Sequence, residues 1–315
     1  MINEHNLVLG PSKATKDQML SGIKKAINKE ENIIIVNPEG DLSKATEKTL
    51  EAKDYKICTF DFAKKESCHY NPLLLNTTYD NAYLAEMMSS SYCDNLVDQE
   101  FWVRAIGPNL EGVMNYVQTK YADDYSKWTF ATAKEILWGS LQDENSEYLT
   151  TNPIVCALAS KTRTDVLSDS INIMDLFNKA PLSDLLSDND PIFDEIIKEI
   201  DVPVTAGCKS KYAIVINFLP DNKEERNLCN SLVSRLFAIF CNNNQNTIRK
   251  RTTNFFINDA AKLGEVQKMR KYVTVGRGYN IHIVLSFENI KQIEEVYGHV
   301  STEIIKANTK HIEAK

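Results

Sequence analysis

A short apolar strand that runs directly into a phosphate-loop-like segment constrains the fold of this chain more than any other feature. Residues 6–9 read Asn-Leu-Val-Leu, and the segment after them has the spacing of a P-loop, G-x-x-x-x-G-K-(S/T). In such a loop, backbone N–H groups and the lysine contact phosphates, and the hydroxyl holds Mg²⁺. The candidate nucleotide-binding residues are Gly10, Pro11, Ser12, Lys13, Ala14, Thr15, Lys16 and Asp17. The pattern predicts a nucleotide-binding α/β scaffold.

Two positions of this segment depart from the motif. Thr15 stands at the second glycine, and Asp17 stands at the Ser/Thr. We expect a positive φ at position 15, where a Cβ atom costs roughly 1–2 kcal/mol. The carboxylate of Asp17 would repel a phosphate by roughly 4 kcal/mol at about 4 Å and an effective dielectric constant near 20. Because a carboxylate is also a Mg²⁺ ligand, the substitutions weaken nucleotide binding without excluding it.

Composition restricts the class of protein. The 315 residues are 43% hydrophobic and 25% charged, which is ordinary for one large globular domain or two domains. No apolar run approaches the roughly 18 residues of a membrane helix, and the first residues do not resemble a signal peptide. Seven cysteines without a C-x-x-C pair are typical of reduced thiols. We expect a cytoplasmic protein; a peripheral position at the inner face of the cell membrane is the alternative.

The charge balance bears on nucleic-acid binding. The formal net charge is −7, which argues against a broad nucleic-acid surface. Residues 248–251 form one short basic cluster, which is either a solvated loop or a local DNA contact. We therefore expect DNA binding at or below the weak end of nonspecific affinities, about 10⁻⁴ M.

Strand and helix patterns alternate at both ends of the chain but not in its middle. Short β-branched runs lie within residues 1–74 and 205–315, and one intervening helix is expected over residues 16–29. Residues 75–204 show only helical periodicity, with aromatic side chains that we expect in a core. These are Phe101, Trp102, Tyr116, Trp128 and Trp138. The pattern predicts an α/β protein whose parallel sheet is interrupted by an all-helical domain.

Several short segments share their order and intervals with one known family. They are residues 10–17, 37–42, 70–73, 161–168, 258–264, 276–278 and 288–298. For example, residues 37–42 are similar to D-P-K-G-E-L and residues 258–264 to D-E-F-A-N-L-G. The chain thus resembles the type IV secretion coupling proteins, the TraG/TraD group of hexameric ATPases that move DNA or protein in bacterial conjugation. The resemblance implies a RecA-like P-loop NTPase sheet with an inserted all-helical domain, ATP and Mg²⁺ as cofactors, and ring-shaped homo-oligomers.

The resemblance also implies catalytic roles. Asp259 falls at the Walker B glutamate, and Arg277 falls at an arginine that reaches a neighbour's γ-phosphate. Glu288 falls at a glutamine of the family when the chain is aligned backward from residue 298. Alignment forward from Arg277 puts Ser286 there instead. Each residue keeps a structural alternative: Asp259 as a helix cap, Arg277 as a surface residue on a tight turn, and Glu288 as a solvated or paired acid.

The implied metal ligands are Asp17 and Asn258. Asn258 falls at the Walker B aspartate and lacks the carboxylate that supports Mg²⁺ coordination. Asp259 is one methylene shorter than the glutamate that orients the attacking water. Glu39 falls at the lysine of D-P-K-G-E and is expected to be a solvated or paired acid. Substitutions concentrated at phosphate, metal and water positions are typical of a degenerate ATPase site.

These observations favour one function and leave others open. The leading hypothesis is a coupling-protein-like pseudo-ATPase that binds secretion-system or relaxosome proteins with weak or absent ATP hydrolysis. Contact with the membrane would come only through partners, and without nucleotide the chain is expected to be mainly monomeric. The alternatives are an active ATP-driven DNA or protein motor, the cytosolic fragment of a membrane-anchored motor, and a binding protein outside secretion.

Overall fold

The computed structural model describes residues 5–38, 40–199, 210–242 and 251–315. Glu39, three residues of the basic cluster at 248–251, and the predicted domain boundary near residue 204 lie outside these ranges. Within them, no helix has both the length and the apolar character that a membrane span requires.

The strands form one parallel sheet. In the described ranges it has seven strands in the order β3-β4-β2-β5-β6-β1-β7, and every neighbouring pair is parallel. The strands are β1 His5–Leu9, β2 Asn32–Pro38, β3 Tyr55–Asp61, β4 Lys211–Phe218, β5 Thr253–Ile257, β6 Ile281–Phe287 and β7 Thr309–Glu313. This confirms the predicted α/β fold with a parallel sheet and a helical insertion.

Fifteen α-helices complete the described part of the chain. They are α1 Ser12–Asn28, α2 Asp41–Glu51, α3 Pro72–Leu75, α4 Thr78–Cys93, α5 Gln99–Lys120, α6 Phe130–Gln142, α7 Glu147–Thr151, α8 Pro153–Cys156, α9 Ser160–Phe177, α10 Leu182–Leu185, α11 Pro191–Glu199, α12 Lys223–Asn242, α13 Ala260–Leu263, α14 Met269–Val275 and α15 Ile290–Asn308.

The chain divides into two compact units. The sheet unit consists of Met1–Asp61, Asp190–Asn222 and Leu232–Lys315. The helical unit consists of Phe62–Asn189 and Lys223–Ser231. All seven strands lie in the first unit, so the β-branched runs at the two ends of the chain build one sheet.

The core of the sheet unit explains why its strands read as continuous apolar runs. Every residue of β2 is buried, as expected for a parallel strand covered on both faces. On one face, Met19, Ile23 and Ile27 of α1 belong to the same buried cluster as Ile33 and Ile35 of β2. Their spacing in α1 places them on one helix face, which is the face that buries.

The helical unit has its own core, but the five aromatic residues that were predicted to lie in it are not fully buried. Phe101 is 51% exposed and Trp138 is 55% exposed, and the other three expected core aromatics are only partly buried. In α6 the buried stripe runs through Phe130, Ala133 and Leu137, and Trp138 lies beyond its edge. Helical spacing, rather than residue type, decided which side chains became buried.

Candidate functional site

Polar side chains lie at the carboxyl ends of three central strands of the sheet. Asn37 lies in β2, Asn258 directly follows β5, and Ser286 lies in β6. The carboxyl ends of parallel strands meet at one edge, which we call the carboxyl edge, and in open α/β sheets ligands bind beyond that edge. Asn258 Nδ2 donates to Asn37 Oδ1 at 3.3 Å, and Ser286 Oγ donates to Asn258 Oδ1 at 3.1 Å. All three residues are at most 2% exposed, so this is a buried, uncharged cluster.

Asp259 connects this cluster to the start of α1. Its backbone N–H donates to Ser286 Oγ at 2.8 Å, and its carboxylate accepts a hydrogen bond from Ser12 Oγ at 3.2 Å. Lys262 Nζ lies 3.4 Å from the same carboxylate oxygen. Although Asp259 precedes α13, its side chain makes no capping hydrogen bond, so the interpretation as a helix cap is wrong. The carboxylate instead contacts a hydroxyl and an ammonium group.

The segment predicted as a phosphate loop is mostly helix. α1 begins at Ser12, four residues before the predicted start, so that only Gly10 and Pro11 connect it to β1. Pro11 has φ −56° and ψ 143°, a conformation that turns the chain into the helix. Thr15 lies inside α1, where its hydroxyl donates to Ser12 O at 2.9 Å. The predicted positive φ at Thr15 is therefore wrong, because the helix has taken up the turn that a second glycine would have opened.

Gly10 keeps a left-handed conformation for a packing reason. Its φ is +146°, and a Cβ atom on Gly10 would clash with the backbone carbonyl of Ala314. The N–H of Ala314 donates to Leu9 O at 2.8 Å, which holds the segment after β7 beside β1. The close approach of two backbones accounts for this glycine without reference to phosphate.

Lys16 forms an ion pair inside the sheet unit. Its ammonium contacts Asp41, the first residue of α2, whose carboxylate also accepts the N–H of Leu42 at 2.8 Å. Burial favours the neutral form of Asp41, but the hydrogen bond from Lys16 and the attraction of its charge outweigh burial and lower the pKa of this carboxyl. Asp41 therefore stays ionised and offsets the positive charge that a P-loop lysine would direct at phosphate.

The remaining predicted residues lie away from the buried cluster. Asp17 and Lys13 are exposed on α1. Glu288 is exposed, and its carboxylate accepts a hydrogen bond from Gln292 Nε2 at 3.2 Å. Of the two alignments left open by the sequence, the one through Ser286 brings a side chain into the cluster.

Arg277 lies at the opposite edge of the sheet. It is exposed on a 3₁₀ turn, Gly276–Tyr279, that immediately precedes β6, whereas Asp259 follows the carboxyl end of β5. The seven residues of β6 span roughly 20 Å at about 3.3 Å per residue, so Arg277 and Asp259 do not share a site in one chain.

This amino edge holds a buried histidine. His5 is fully buried, and its Nδ1 accepts the N–H of Ile283 at 3.0 Å. Burial, with smaller contributions from the nearby His282 and Arg277, lowers the pKa of His5 from 6.5 to about 4. The imidazole is therefore neutral at pH 7, which its acceptor role at Nδ1 requires.

The sequence missed the partners of the predicted residues. Asp41 was part of a recognised segment but was not singled out, and Ser12 was considered only as a loop residue. Alignment forward from Arg277 had already indicated Ser286 as a site residue. Nothing in the spacing of the sequence indicated that Lys16 would contact Asp41 or that Asp259 would contact Ser12.

Comparisons with known proteins bear on the family and the fold of the chain. The family model described as "Type IV secretory system Conjugative DNA transfer" matches residues 2–91 and 95–314. A search of curated proteins returned no match.

Solved structures with the same fold share little sequence. The coupling protein TrwBdeltaN70 in complex with sulphate superposes with a TM-score of 0.68 at 14% identity, covering 99% of this chain and 70% of that one. TrwB in complex with ADP and Mg²⁺ gives 0.67 at 14% identity, with 98% and 69% covered. VirB4 of Thermoanaerobacter pseudethanolicus gives 0.59 at 14% identity, with 98% and 76% covered.

At 14% identity these structures establish the fold, and the family model establishes membership. The match spans nearly the whole chain, including both sequence regions that build the sheet and the helical region between them. The chain therefore belongs to the family of type IV secretory system conjugative DNA transfer proteins.

Proposed function

We propose that this chain acts as a coupling-type component of a conjugative transfer system and binds its partners without turning over ATP. One observation carries the proposal: the groups that a P-loop ATPase directs at its nucleotide contact one another here. Lys16 pairs with Asp41, Asp259 contacts Ser12 and Lys262, and the amide of Asn258 bonds to its neighbours.

The residues at the carboxyl edge do not fit a Mg²⁺ ion. Mg²⁺ sites in phosphate-binding proteins use one or two carboxylates together with substrate phosphates and water. Here Asn258 contributes a neutral amide whose oxygen already accepts from Ser286. Asp17 is exposed on α1, and Asp259 lies 3.4 Å from the ammonium of Lys262. We therefore assign no catalytic step to a metal at this edge.

Phosphoryl transfer would also lack a positioned water. Catalysis of this reaction consists of positioning and electrostatic stabilisation, so the loss of any positioning group lowers the rate of phosphoryl transfer. The carboxylate of Asp259 faces Ser12 at 3.2 Å and is 12% exposed. A shorter side chain that is already held by a hydroxyl and a lysine is a poor base for orienting water.

The partner-binding part of the proposal rests on family membership. Proteins of the secretion apparatus or the relaxosome are the proposed partners, in the cytoplasm or at the inner face of the cell membrane. DNA contact is proposed to be weak because the chain carries a net charge of −7. TrwB structures contain ADP with Mg²⁺ or the non-hydrolysable analogue ADPNP, so ATP remains the nucleotide to test.

A second candidate, an active motor, draws on the position of Arg277. This arginine is exposed on a turn at the amino edge, where it would face a neighbouring subunit rather than its own site. A ring homo-oligomer that placed Arg277 against the next subunit's carboxyl edge would support the motor.

The experiment that tests the proposal measures the Mg²⁺ dependence of ATP binding. A fluorescent ATP analogue is titrated in Mg²⁺ and in EDTA, with wild type and with the combined variant Thr15→Gly, Asp17→Thr, Asn258→Asp and Asp259→Glu. We expect Mg²⁺ to change the wild-type affinity less than about twofold and to tighten binding by the variant at least about tenfold. Strong Mg²⁺-dependent binding by wild type would contradict the proposal.

A further inference from the structure

Helix α15 is broken at Gly298. This residue has φ 72° and ψ 163°, a backbone conformation that is essentially restricted to glycine. A Cβ atom at Gly298 would meet no heavy atom within 4 Å, so close packing at that atom does not explain the break. On the inner side of the helix, Tyr297 and Thr302 are buried, and Thr302 Oγ1 donates to Gly298 O at 2.9 Å. The buried residues therefore hold the broken helix in a fixed shape.

The break gathers three side chains that can ligate a metal on the outer side of α15. Glu294, His299 and Glu303 each offer one ligand atom, and these three atoms lie within 4.8 Å of one another. In an unbroken helix, His299 and Glu303, four residues apart, share a face. Glu294 and His299, five residues apart, would instead point about 140° apart around the axis. The conformation of Gly298 therefore accounts for the position of Glu294 beside His299.

The spacing of these groups suits a tetrahedral ion. His299 Nδ1 lies 3.2 Å from Glu294 Oε1. Two ligands of a tetrahedral Zn²⁺ ion lie about 3.3 Å apart when each bond is about 2.0–2.1 Å long. The side chain of Glu303 is 52% exposed, so rotation about its bonds can bring its carboxylate to the same ion.

The present contacts of the three groups are compatible with a bound ion. Lys306 Nζ lies 2.7 Å from Glu303 Oε1, but an ionised carboxylate has a second oxygen and about four acceptor sites. An exposed ion pair of this kind contributes little net stability. In the contact between His299 and Glu294, Nδ1 carries the proton because a carboxylate only accepts. A divalent ion replaces this proton, which leaves to water.

The set of donor atoms indicates the class of ion. Imidazole is a good ligand for zinc and other late transition metals, whereas Mg²⁺ and Ca²⁺ are bound by oxygen atoms. All three residues are exposed, so an ion can reach them from solvent. One imidazole and two carboxylates would leave the fourth position of a tetrahedral ion to water.

We propose that Glu294, His299 and Glu303 bind Zn²⁺ and that the ion links the two segments of α15 across Gly298. The site lies within the sheet unit and uses none of the residues assigned to nucleotide or Mg²⁺. It goes beyond the coupling role proposed above and does not depend on it.

The test is a Zn²⁺ titration of the full chain without nucleotide, with a chromophoric chelator as competitor. We expect His299→Gln to bind Zn²⁺ at least about tenfold more weakly than wild type, because the loss of an outer-shell partner already costs about 10–100-fold in affinity. His311→Gln, which removes an exposed histidine from β7, is the matched control and should bind like wild type. Glu294→Gln and Glu303→Gln should each weaken binding more than Glu295→Gln, which changes an exposed neighbour outside the cluster.

Cobalt distinguishes this site from binding by cysteine. Thiolates also bind Zn²⁺, and the chain has seven cysteines. Co²⁺ held by nitrogen and oxygen shows weak visible absorption bands, whereas thiolate ligands add an intense ultraviolet charge-transfer band. We expect the weak bands in wild type and their loss in His299→Gln.

The zinc proposal is overturned if wild type does not bind Zn²⁺ or if His299→Gln and His311→Gln bind it equally well. Equal affinities of Glu294→Gln and Glu295→Gln would also contradict it. So would a Co²⁺ spectrum that is dominated by a thiolate band and is unchanged in His299→Gln. The substituted residues are exposed, so the variants are expected to fold, and circular dichroism checks this.

Discussion

The carboxyl edge and the amino edge of the sheet differ in how far the residues of the family motifs are already engaged. At the carboxyl edge, Lys16 contacts Asp41, Asp259 contacts Ser12, and Asn258 contacts Ser286, although the buried Nδ2 atom of Asn37 has no partner among the described residues. At the amino edge, Arg277 is exposed on the turn before β6. A ligand must replace existing contacts at the carboxyl edge, whereas another molecule can add contacts at Arg277. Inherited motifs therefore indicate the ancestry of a site, and the existing contacts of their side chains indicate whether binding there remains favourable.

The largest expected effect tests whether packing alone fixes the first motif glycine. Gly10→Ala would force a Cβ atom against the Ala314 carbonyl at a φ of +146°. We expect a loss of about 2–4 kcal/mol in the free energy of unfolding, measured by urea denaturation. Gly139→Ala, in an exposed helical position with no heavy atom within 4 Å of the new Cβ, is the control and should stabilise slightly. Equal stability of Gly10→Ala and wild type would show that the backbone contact is not tight.

At the amino edge, the buried His5 should make the stability of the fold depend on pH. The pKa of His5 is lowered from 6.5 to about 4, so the unfolded chain binds a proton more readily between these values. The contribution of neutral His5 to the stability of the folded chain is therefore fully present above about pH 6.5 and is lost as the pH falls toward 4. We expect the free energy of unfolding to fall by about 2 kcal/mol between pH 7 and pH 5.

Urea unfolding of wild type and His5→Asn at both pH values measures this difference. Asparagine keeps an acceptor for the Ile283 N–H but does not titrate, so the variant should show a smaller loss of stability on acidification. The same pH dependence in both proteins would show that protonation of His5 does not cause the loss of stability.

A smaller effect tests the hydroxyl that joins Asn258 and Asp259 at the carboxyl edge. Ser286→Ala would leave Asn258 Oδ1 and the Asp259 N–H without the serine hydroxyl. We expect a loss of about 1–2 kcal/mol in unfolding free energy. Glu288→Ala, at an exposed position, should change stability by less than about 0.5 kcal/mol. An equal or larger loss for the glutamate variant would show that the Ser286 hydroxyl does not stabilise the cluster.

The sequence predicted the sheet because its physical signal is local. Runs such as Asn32–Pro38 and Lys211–Phe218 are apolar through their middles, with polar residues only at or near their ends, which is typical of a strand buried on both faces. The start of α1 was predicted four residues late because the motif suggested a loop, although Pro11 and the lack of a second glycine allow an earlier helix. Local propensity and the family motif predicted different structures there, and local propensity determined the structure.

The contacts of the site could not be predicted in the same way. Lys16 and Asp41 meet because α1 and α2 are joined through β2, and no spacing in the sequence encodes this pair. The same holds for Ser12 and Asp259, which are 247 residues apart. The exposure of Trp138 was missed because this residue was assigned to the core by its type, whereas the buried stripe through Phe130, Ala133 and Leu137 excludes it.

The central claim is that Lys16 no longer serves a nucleotide, and the most direct test is steady-state ATP hydrolysis. Purified wild type and Lys16→Ala are compared at saturating ATP and Mg²⁺, with Lys13→Ala, an exposed lysine on the same helix, as the matched control. The account predicts the same background rate for all three proteins, because the ammonium of Lys16 is held by Asp41. A clear drop in rate for Lys16→Ala but not for Lys13→Ala would contradict it and make the chain a working ATPase.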